Sequence, residues 1–300
     1  MASTSAGQPD GRSNAEREAI DAMRPHVHGM WAAAAPSWGE RAAYVDERAA
    51  PIAERLLALS APQPGERVLE LACGPGGLGL AAAGLVGPGG EVVLSDVAQE
   101  MAAIAAARAQ ERGLTNVTTR VLDLERIDEP DRSYDVVLCR DGLMFALVPA
   151  RAAAELARVL RPGGRAGLAV WGPRERNPWL GVVLDAVSDQ VGAPVPPPGV
   201  PGPFALQDAG ALAGLLSGAG LADVTVGEVP VPFEAASAEE WWALTTALAG
   251  PLATLLTSLP ADAGQALRAR ALEVIGSYRT PAGTLQIPGV SLVAAGRRPG

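Results

Sequence analysis

Residues 68–79 read Val-Leu-Glu-Leu-Ala-Cys-Gly-Pro-Gly-Gly-Leu-Gly, and residues 92–96 read Val-Val-Leu-Ser-Asp. The first apolar run contains a carboxylate near its end and passes into a glycine-rich turn, and the second run ends in an acid. Parallel α/β sheets bind nucleosides at the carboxyl ends of neighbouring strands, where a glycine turn and an acid of this kind occur. The two stretches therefore predict the first two strands of such a sheet, with a nucleoside pocket at their ends.

The glycines fit two classes of ligand. Gly74, Gly76 and Gly79 satisfy the G-x-G-x-x-G pattern of dinucleotide-binding proteins, but a single match is weak evidence in a chain with 35 glycines. Glu70 separates the two classes, because a pyrophosphate needs bare backbone N–H groups at a helix N-terminus and a nearby carboxylate repels it. The same carboxylate suits a cationic ligand without phosphate, such as S-adenosylmethionine (SAM). The sequence therefore favours SAM over NAD.

Further strand ends follow in the order that a parallel sheet requires. Residues 121–124 are typical of the end of a third strand, and residues 134–140 form a nearly continuous apolar fourth strand. Residues 161–164, Arg-Pro-Gly-Gly, stop a helix, because proline cannot continue it and glycine supplies the turn. A fifth strand then runs over 165–171. The alternation of buried strands with helical segments predicts right-handed β-α-β crossovers and an α/β fold.

The chain resembles the class I SAM-dependent methyltransferases, and among them the ubiquinone/menaquinone-biosynthesis-like group that acts on small molecules. Five motifs carry the resemblance: VLELACGPGG (68–77), LSDVAQEM (94–101), VLDLE (121–125), YDVVLCRDGLMF (134–145) and RVLRPGGRAGLAVWGP (158–173). The resemblance implies a Rossmann-like, doubly wound seven-stranded sheet of order 3-2-1-4-5-7-6, with the last strand antiparallel and a helical cap. The motifs are specific for cofactor and fold and say little about the substrate.

The resemblance also implies which residues bind SAM. Asp96 would accept hydrogen bonds from both ribose hydroxyls, and Asp123 from the adenine amino group. Glu70 would fix the methionine part through hydrogen bonds or water, beside the glycine turn. Residues 139–141, at the end of the fourth strand, would line the pocket beside the reactive sulfonium. The full set of expected cofactor residues is Glu70, Gly74, Gly76, Asp96, Met101, Asp123, Leu124 and Arg140. Two of them have an equal structural interpretation, Met101 as core packing and Arg140 as a charge at a strand end.

The sequence offers two candidates for a general base. Methyl transfer depends mainly on aligning the acceptor atom with the methyl carbon and sulfur, and a base is needed only where the acceptor carries a proton. His28 lies in the N-terminal segment expected to cover the pocket, and Asp141 lies just past the fourth strand. Surface or structural roles are the alternative for each, so the catalytic residue stays open. The chain has no lysine, which excludes lysine-based catalysis.

Composition excludes several function classes. A formal net charge of −9 without a basic cluster argues against nucleic acid as the main substrate. Cys73 and Cys139 cannot form a metal cage with only two histidines, and we expect free thiols, as in a reducing cytoplasm. The start of the chain shows no signal peptide, and no segment approaches the roughly 18 apolar residues of a membrane span. We therefore expect a cytoplasmic protein without a membrane partner.

The sequence predicts a tail, a cap and one large domain. Residues 1–15 are expected to be disordered, residues 16–60 to form an N-terminal helical cap, and residues 61–300 to form the SAM-binding domain. Cap insertions are expected at about 174–205 and 236–280. Beyond the fifth strand, the pattern predicts helices over 179–191, 204–218, 238–257 and 261–278, and strands over 224–233 and 291–295.

Aromatic residues form only 4% of the chain, yet several fall in the predicted cap segments or beside the pocket. They are Trp31, Trp38, Phe145, Trp179, Trp241 and Trp242. Their concentration suggests a flat or apolar acceptor, and the alternative is ordinary core packing of the cap helices on the sheet.

The sequence thus predicts methyl transfer from SAM to oxygen or carbon of a small organic acceptor. The composition, rich in alanine, arginine and proline, suits a high-GC bacterial genome and a role in secondary metabolism. One alternative is a SAM-binding relative that catalyses a non-methylating step such as cyclisation. Another is an NAD(P)-dependent reductase, which Glu70 and the absence of lysine disfavour. The sequence leaves the oligomeric state open, a homodimer included.

Overall fold

The structure is a computed structural model that describes residues 13–197 and 199–300. Its strands are β1 (Arg67–Leu71), β2 (Glu91–Asp96), β3 (Val117–Val121), β4 (Tyr134–Arg140), β5 (Leu160–Trp171), β6 (Ala222–Pro230), β7 (Phe233–Ala235), β8 (Leu285–Ile287) and β9 (Val290–Arg297). Its α-helices are α1 (Asn14–Glu40), α2 (Ala42–Arg48), α3 (Ala50–Ser60), α4 (Gly77–Val86), α5 (Gln99–Glu111), α6 (Pro149–Val159), α7 (Pro178–Val191), α8 (Ala209–Gly218), α9 (Ala238–Leu248), α10 (Pro251–Ser258) and α11 (Ala261–Ile275).

The central sheet has the order β3-β2-β1-β4-β5-β9-β6. Strands β1 to β5 run parallel, and β9 runs antiparallel to both β5 and β6. With β9 as the seventh strand of this sheet, the predicted order 3-2-1-4-5-7-6 is confirmed. The central strands β1, β2 and β4 are buried on both faces, because helices flank a parallel sheet on either side. This burial explains why their sequences are continuous apolar runs.

Two predictions in the C-terminal half were wrong in their boundaries. The expected helix over 238–257 is divided into α9 and α10, because Gly250 adopts a φ of 53° and Pro251 then begins a new helix. The expected strand over 224–233 ends at Pro230, and Phe233 belongs instead to β7, which pairs with β8 in a separate two-stranded sheet. Pro230 and Pro232 lack the N–H groups that would continue the ladder.

Three helices occupy the N-terminal region. Helix α1 begins at Asn14, so the last two residues of the predicted tail are helical, and residues 1–12 lie outside the described part of the chain. Helices α2 and α3 follow almost without a break and lead into β1. Within the described ranges, no helix is both long and apolar enough to cross a membrane. The division into cap and domain stays a prediction.

The core contains more of the chain than the central sheet alone. Helix α7 lies in the segment predicted as an insertion at about 174–205, yet Val183 and Val187 are fully buried in the same cluster as the sheet. Trp241 of α9 is also fully buried there. Its Nε1 atom donates a hydrogen bond of 2.9 Å to the carbonyl oxygen of Trp179. The core interpretation therefore applies to Trp241.

Candidate functional site

A cavity opens where the carboxyl ends of β1, β2 and β4 meet, and residues of α1, α2 and α9 cover it. Loops that follow parallel strands meet at one edge of the sheet, so residues distant in sequence share this space. Most of the predicted site residues line the cavity: His28, Gly74, Asp96, Met101, Asp123, Leu124, Arg140 and Asp141. Glu70 and Gly76 are the predicted site residues that do not line it.

Asp96, the last residue of β2, fixes the turn that follows β1. Its Oδ2 atom accepts a hydrogen bond of 2.9 Å from the backbone N–H of Gly74, and its Oδ1 atom accepts one of 3.0 Å from Ala98. Burial raises the pKa of Asp96, and these backbone N–H groups oppose that effect. Each carboxylate oxygen keeps a second lone pair. Asp96 can therefore still accept from ligand hydroxyls, and its ribose role stays a prediction.

Glu70 lies beneath the glycine turn. Its Oε2 atom accepts a hydrogen bond of 2.8 Å from the backbone N–H of Gly79 in the first turn of α4. Burial raises the pKa of Glu70 to about 7, although Arg140 and the Gly79 bond favour the charged form. Glu70 does not line the cavity, so its expected action on the cofactor through hydrogen bonds or water stays a prediction. The residue holds α4 in place and acts on the cavity through its charge.

Asp46 of α2 is a second carboxylate at this helix N-terminus, and sequence reasoning missed it. A Cβ atom added to Gly77, the first residue of α4, would lie only 1.8 Å from the Asp46 Oδ1 atom. Arg108 of α5 pairs with the same carboxylate. A pyrophosphate binds to bare N–H groups at a helix N-terminus. With Glu70 and Asp46 both placed here, the start of α4 does not suit a dinucleotide.

The two predicted glycines of the turn serve different purposes. Gly74 adopts a φ of 52° and lies beside Trp38, whose ring would be 3.8 Å from a Cβ atom placed at Gly74. Gly76 adopts a φ of 84° and caps α4, where a Cβ atom would lie 3.0 Å from both Leu94 and Ala105. Gly74 therefore shapes the cavity wall, whereas Gly76 allows α4 to pack closely against β2 and α5.

Asp123 connects the end of β3 to the covering helix α1. Its Oδ2 atom accepts a hydrogen bond of 2.8 Å from Nη1 of Arg24, and its Oδ1 atom accepts one of 2.8 Å from the backbone N–H of Glu125. The Arg24 Nη2 atom also donates to Glu125, at 2.6 Å. Asp123 is therefore held by protein groups. A bond to an adenine amino group would use its remaining lone pairs.

His28 lies at this same end of the cavity. Its Nε2 atom is 3.7 Å from Oδ2 of Asp123, the residue that the resemblance assigns to adenine. The end of β4, where the resemblance places the reactive sulfonium, lies beyond β1 in the sheet order. The position of His28 therefore does not suit proton abstraction from an acceptor.

Met101 and Arg140 both line the cavity, and their contact with the cofactor stays a prediction. Met101 is buried against Trp31 and Trp38 of α1 and also lines the cavity, so it contributes to packing and to the site at once. Arg140 is the last residue of β4 and lines the cavity. Its positive charge lowers the pKa of Glu70 and that of Asp141, against the larger effect of burial. Arg140 is therefore a strand-end charge that acts on the site.

Asp141 is a buried carboxylate directly after β4. It adopts a φ of 59°, a left-handed conformation that is costly for a residue other than glycine. Solvent does not reach its Oδ1 atom, which has no hydrogen-bond partner within the part of the chain that the structure describes. Burial raises the pKa of Asp141 to about 6. A carboxylate with this pKa can accept a proton near neutral pH.

Arg48 of α2 lines the cavity and was not singled out from the sequence. Its guanidinium carbon lies 5.1 Å from the ring centroid of Trp171, 4.1 Å from that of Trp179 and 4.7 Å from that of Phe233. We call these three rings the aromatic cage. Burial lowers the pKa of Arg48 to about 10, so the side chain stays charged at neutral pH. No local pattern could reveal this cation, because its three rings come from distant segments.

The remaining cavity aromatics lie under the covering helix. The ring centroids of Trp31 and Phe145 are 4.9 Å apart, and those of Trp31 and Trp38 are 6.1 Å apart, both in edge-to-face geometry. All three line the cavity.

Cys73 and Cys139 are free and buried, as predicted, and burial raises the pKa of Cys139 to about 12. Neither thiol is therefore a ready nucleophile.

Fold and site together are those of the Rossmann-like methyltransferases. Residues 68–164 match the methyltransferase domain family. The nocamycin O-methyltransferase of Saccharothrix syringae is 37% identical over 199 residues, which cover 63% of this chain and 71% of that protein. The chain belongs to the class I SAM-dependent methyltransferases, in the ubiquinone/menaquinone-biosynthesis-like group.

Two further similarities agree with this membership. The ubiquinone/menaquinone biosynthesis C-methyltransferase UbiE of Ectopseudomonas mendocina is 38% identical over 131 residues, 43% of this chain, and the match spans only about half (51%) of that protein. The crystal structure of the YcgJ protein from Bacillus subtilis covers 83% of this chain and 98% of its own, with a TM-score of 0.59 and 18% identity. The latter likeness shows the fold alone.

Proposed function

We propose that this protein transfers the methyl group of SAM to an oxygen atom of a small organic acceptor. One observation carries the proposal: a single cavity joins Asp96 and the Gly74 turn to the buried carboxylate of Asp141 and to an aromatic region beyond β4. Such a cavity can hold a nucleoside at one end and an apolar acceptor at the other. The relative with the longest match described above is named an O-methyltransferase, which supports oxygen as the acceptor atom.

The residues present suit SAM. Asp96 offers acceptor lone pairs at the end of β2, and the turn at Gly74 has no side chain that would fill the space beside Trp38. Glu70 and Asp46 make the start of α4 unsuitable for phosphate but compatible with a cationic ligand. Bound SAM supplies an electrophilic methyl group on a positively charged sulfur. These residues would bind and orient it.

The acceptor side of the cavity performs two tasks in this proposal. The apolar walls exclude water and hold the acceptor in line with the methyl group, which can lower the barrier by several kcal/mol. The Asp141 Oδ1 atom would accept the proton of an acceptor hydroxyl as the C–O bond forms, while the bond between the methyl carbon and sulfur breaks and SAH is left. Asp141 suits this task because its backbone is fixed by a 2.9 Å hydrogen bond from its N–H to the carbonyl oxygen of Ala169.

We also propose that the acceptor belongs to bacterial secondary metabolism. The relative with the longer match is named for nocamycin, whereas the shorter match is to a protein named for ubiquinone and menaquinone biosynthesis. The arginine-rich, lysine-free composition suits a high-GC bacterial genome, which supports the same proposal. A non-methylating step such as cyclisation in the same cavity is separated from methyl transfer by the test below.

The test is incubation of the purified protein with SAM and a panel of hydroxylated and acidic aromatic acceptors. We expect S-adenosylhomocysteine (SAH) and a product heavier by one methylene unit to form in equal amounts, measured by mass spectrometry. Conversion of an acceptor without SAH formation would instead indicate a non-methylating reaction. Calorimetric titrations with SAH and with NADH, run in parallel, should show binding of SAH only. Binding of NADH with no binding of SAH would overturn the cofactor assignment.

A further inference from the structure

Arg48 carries a positive charge that no described carboxylate pairs with directly, although the charge of Asp141 favours it through space. Its Nε and Nη2 atoms are shielded from solvent and have no hydrogen-bond partner among the described residues. Nor does any carboxylate of the described chain lie within 4.0 Å of its guanidinium nitrogens. A shielded, unpaired charge is unfavourable, and contact with ring faces recovers only part of the free energy of hydration that it loses. The arrangement therefore suits a site in which a ligand supplies the anion.

The aromatic cage places this cation on the acceptor side of the cavity. Trp171 is the last residue of β5, Trp179 lies in α7, and Phe233 begins β7. In the sheet, β5 lies on the opposite side of β4 from β1 and β2, which carry the predicted cofactor residues. Asp141, after β4, lies between the two regions. Through its three rings, Arg48 therefore lies on the β5 side of the cavity, and Asp96 ends a strand on the other side of β4.

Other hydrogen-bond donors without partners line the same cavity. The Nε1 atom of Trp38, the hydroxyl of Tyr44 and the hydroxyl of Thr245 are all shielded from solvent and unpaired within the described ranges. Trp38 can only donate, and the two hydroxyls can donate or accept. A buried donor without a partner is unfavourable, because it loses its hydrogen bonds to water and gains none in return. Together with Arg48, these groups suit a ligand that is rich in acceptor oxygens.

The wall around the cation is otherwise apolar. Val231, Leu244 and Leu180 line the cavity with the aromatic cage. Flat apolar bodies pack well on such rings. This part of the cavity therefore combines an apolar surface with the Arg48 cation, and both features have to be matched by the molecule that fills it.

We propose that the acceptor carries an acidic oxygen, as a carboxylate or an enolate, on a flat apolar body, and that Arg48 binds this oxyanion and selects for it. The proposal rests on the proposed function in that the anion belongs to the methyl acceptor. Arg48 donates from Nε and Nη2, the two atoms that have the geometry for a paired contact with two oxygens. Arg48 is thus a specificity-determining residue, and Asp141 remains the base for a hydroxyl on the same molecule.

Binding of matched probes tests the proposal without any turnover. The probes are 2-naphthoate, the neutral isostere 2-naphthamide, and 5-phenylcyclohexane-1,3-dione, which is an enolate at neutral pH. Affinities are measured by calorimetry on the full chain saturated with SAH. We expect naphthoate or the dione to bind at least about tenfold more tightly than naphthamide, as a charge-assisted pair implies. Their relative affinities show which kind of oxyanion the site prefers. Equal affinity for all three probes overturns the proposal.

Two substitutions and one control connect the preference to Arg48. Arg48→Met, which keeps the apolar contacts of the side chain, should abolish the preference for anions, and Arg48→Lys should retain part of it. Arg41→Met is the control, because Arg41 binds Glu40 and the Ser37 carbonyl outside the cavity. The melting temperature of Arg48→Met should equal or exceed that of the parent protein, since an unpaired shielded charge is removed. A preference for anions that persists in Arg48→Met contradicts the proposal.

The experiments distinguish a failure of the anion site from a failure of the proposed function. If SAH binds and methyl transfer occurs but naphthoate, the dione and naphthamide all bind equally, the anion site fails and the proposed function stands. If anions are preferred through Arg48 but no acceptor is methylated, the proposed function fails and the anion site stands as the binding site of another reaction.

Discussion

Arg24 and Asp123 form a hydrogen-bonded ion pair of 2.8 Å across 99 positions of sequence, and the same guanidinium also binds Glu125. Helix α1 is thereby fastened to the loop after β3. Both Arg24 and Glu125 are buried, so water cannot take the place of the Arg24 guanidinium beside Glu125 unless the surrounding residues move. The covering helix and the predicted adenine site thus depend on one arginine.

Replacing this arginine should loosen the cover. Arg24→Gln leaves the buried Glu125 without its cation, and we expect a loss of roughly 3 kcal/mol of stability. The amides of α1 should exchange faster with deuterium, and the affinity for SAH should fall with them. Hydrogen exchange and calorimetry measure these effects. Arg41→Gln serves as the control, and an α1 that stays equally protected in Arg24→Gln would contradict this account.

Removal of the β2 carboxylate should weaken cofactor binding. Asp96→Ala deletes the acceptors for Gly74 and Ala98 and for the predicted ribose contacts. We expect the affinity for SAH to fall by about 1–3 kcal/mol, measured by calorimetry. Asp128→Ala, at an exposed position, should leave the affinity unchanged. Equal affinities of Asp96→Ala and the parent protein would remove Asp96 from the cofactor site.

The rate of methyl transfer to a hydroxyl should depend on pH through Asp141. Burial raises the pKa of Asp141 to about 6, and a base works only when deprotonated, so kcat should rise as pH rises through about 6 and then level off. Asp141→Asn should lower kcat roughly 100-fold and remove this rise, with the SAH affinity preserved. The measurement is the initial rate of SAH formation across pH.

His28 provides the comparison for this test. It lies beside Asp123, so His28→Gln should keep both the rate and its pH profile. If the rise of kcat with pH disappeared in His28→Gln and persisted in Asp141→Asn, His28 and not Asp141 would be the base.

Glu70 should make the protein less stable as pH rises. Burial raises the pKa of Glu70 from 4.5 to about 7, so the folded state binds its proton more tightly than the unfolded state does. Stability from this group is present at low pH and is lost as pH rises through about 7. Glu70→Gln cannot lose a proton, so its free energy of unfolding should not show this loss. The difference in unfolding free energy between Glu70→Gln and the parent should therefore shift in favour of the variant by up to about 3 kcal/mol from about pH 5 to about pH 8.

Urea unfolding at the two pH values measures the difference. Glu54→Gln, at an exposed position on α3, should show no such gain. A stability difference between Glu70→Gln and the parent that does not change with pH would show that Glu70 is not shielded as described.

The sheet and the glycine turn were predictable because their signals are local. These signals come from residues close together in the chain. Examples are the apolar runs that end at Asp96 and Arg140, and the glycine and proline residues of 161–164 that stop a helix. The break at Gly250 was missed, because a single glycine inside a helical pattern is usually tolerated. Glycine is needed at this break, because its φ is 53° and the indole of Trp31 packs where a side chain at Gly250 would lie.

The sequence by itself determined the fold class, the strand order through the family resemblance, and the residues at the strand ends. Only the tertiary structure decided what those residues face. It placed Asp46 over the start of α4, Arg24 on Asp123, and Arg48 among three rings from β5, α7 and β7. Burial and pairing of charge depend on groups brought together from remote segments, and no local spacing encodes that proximity.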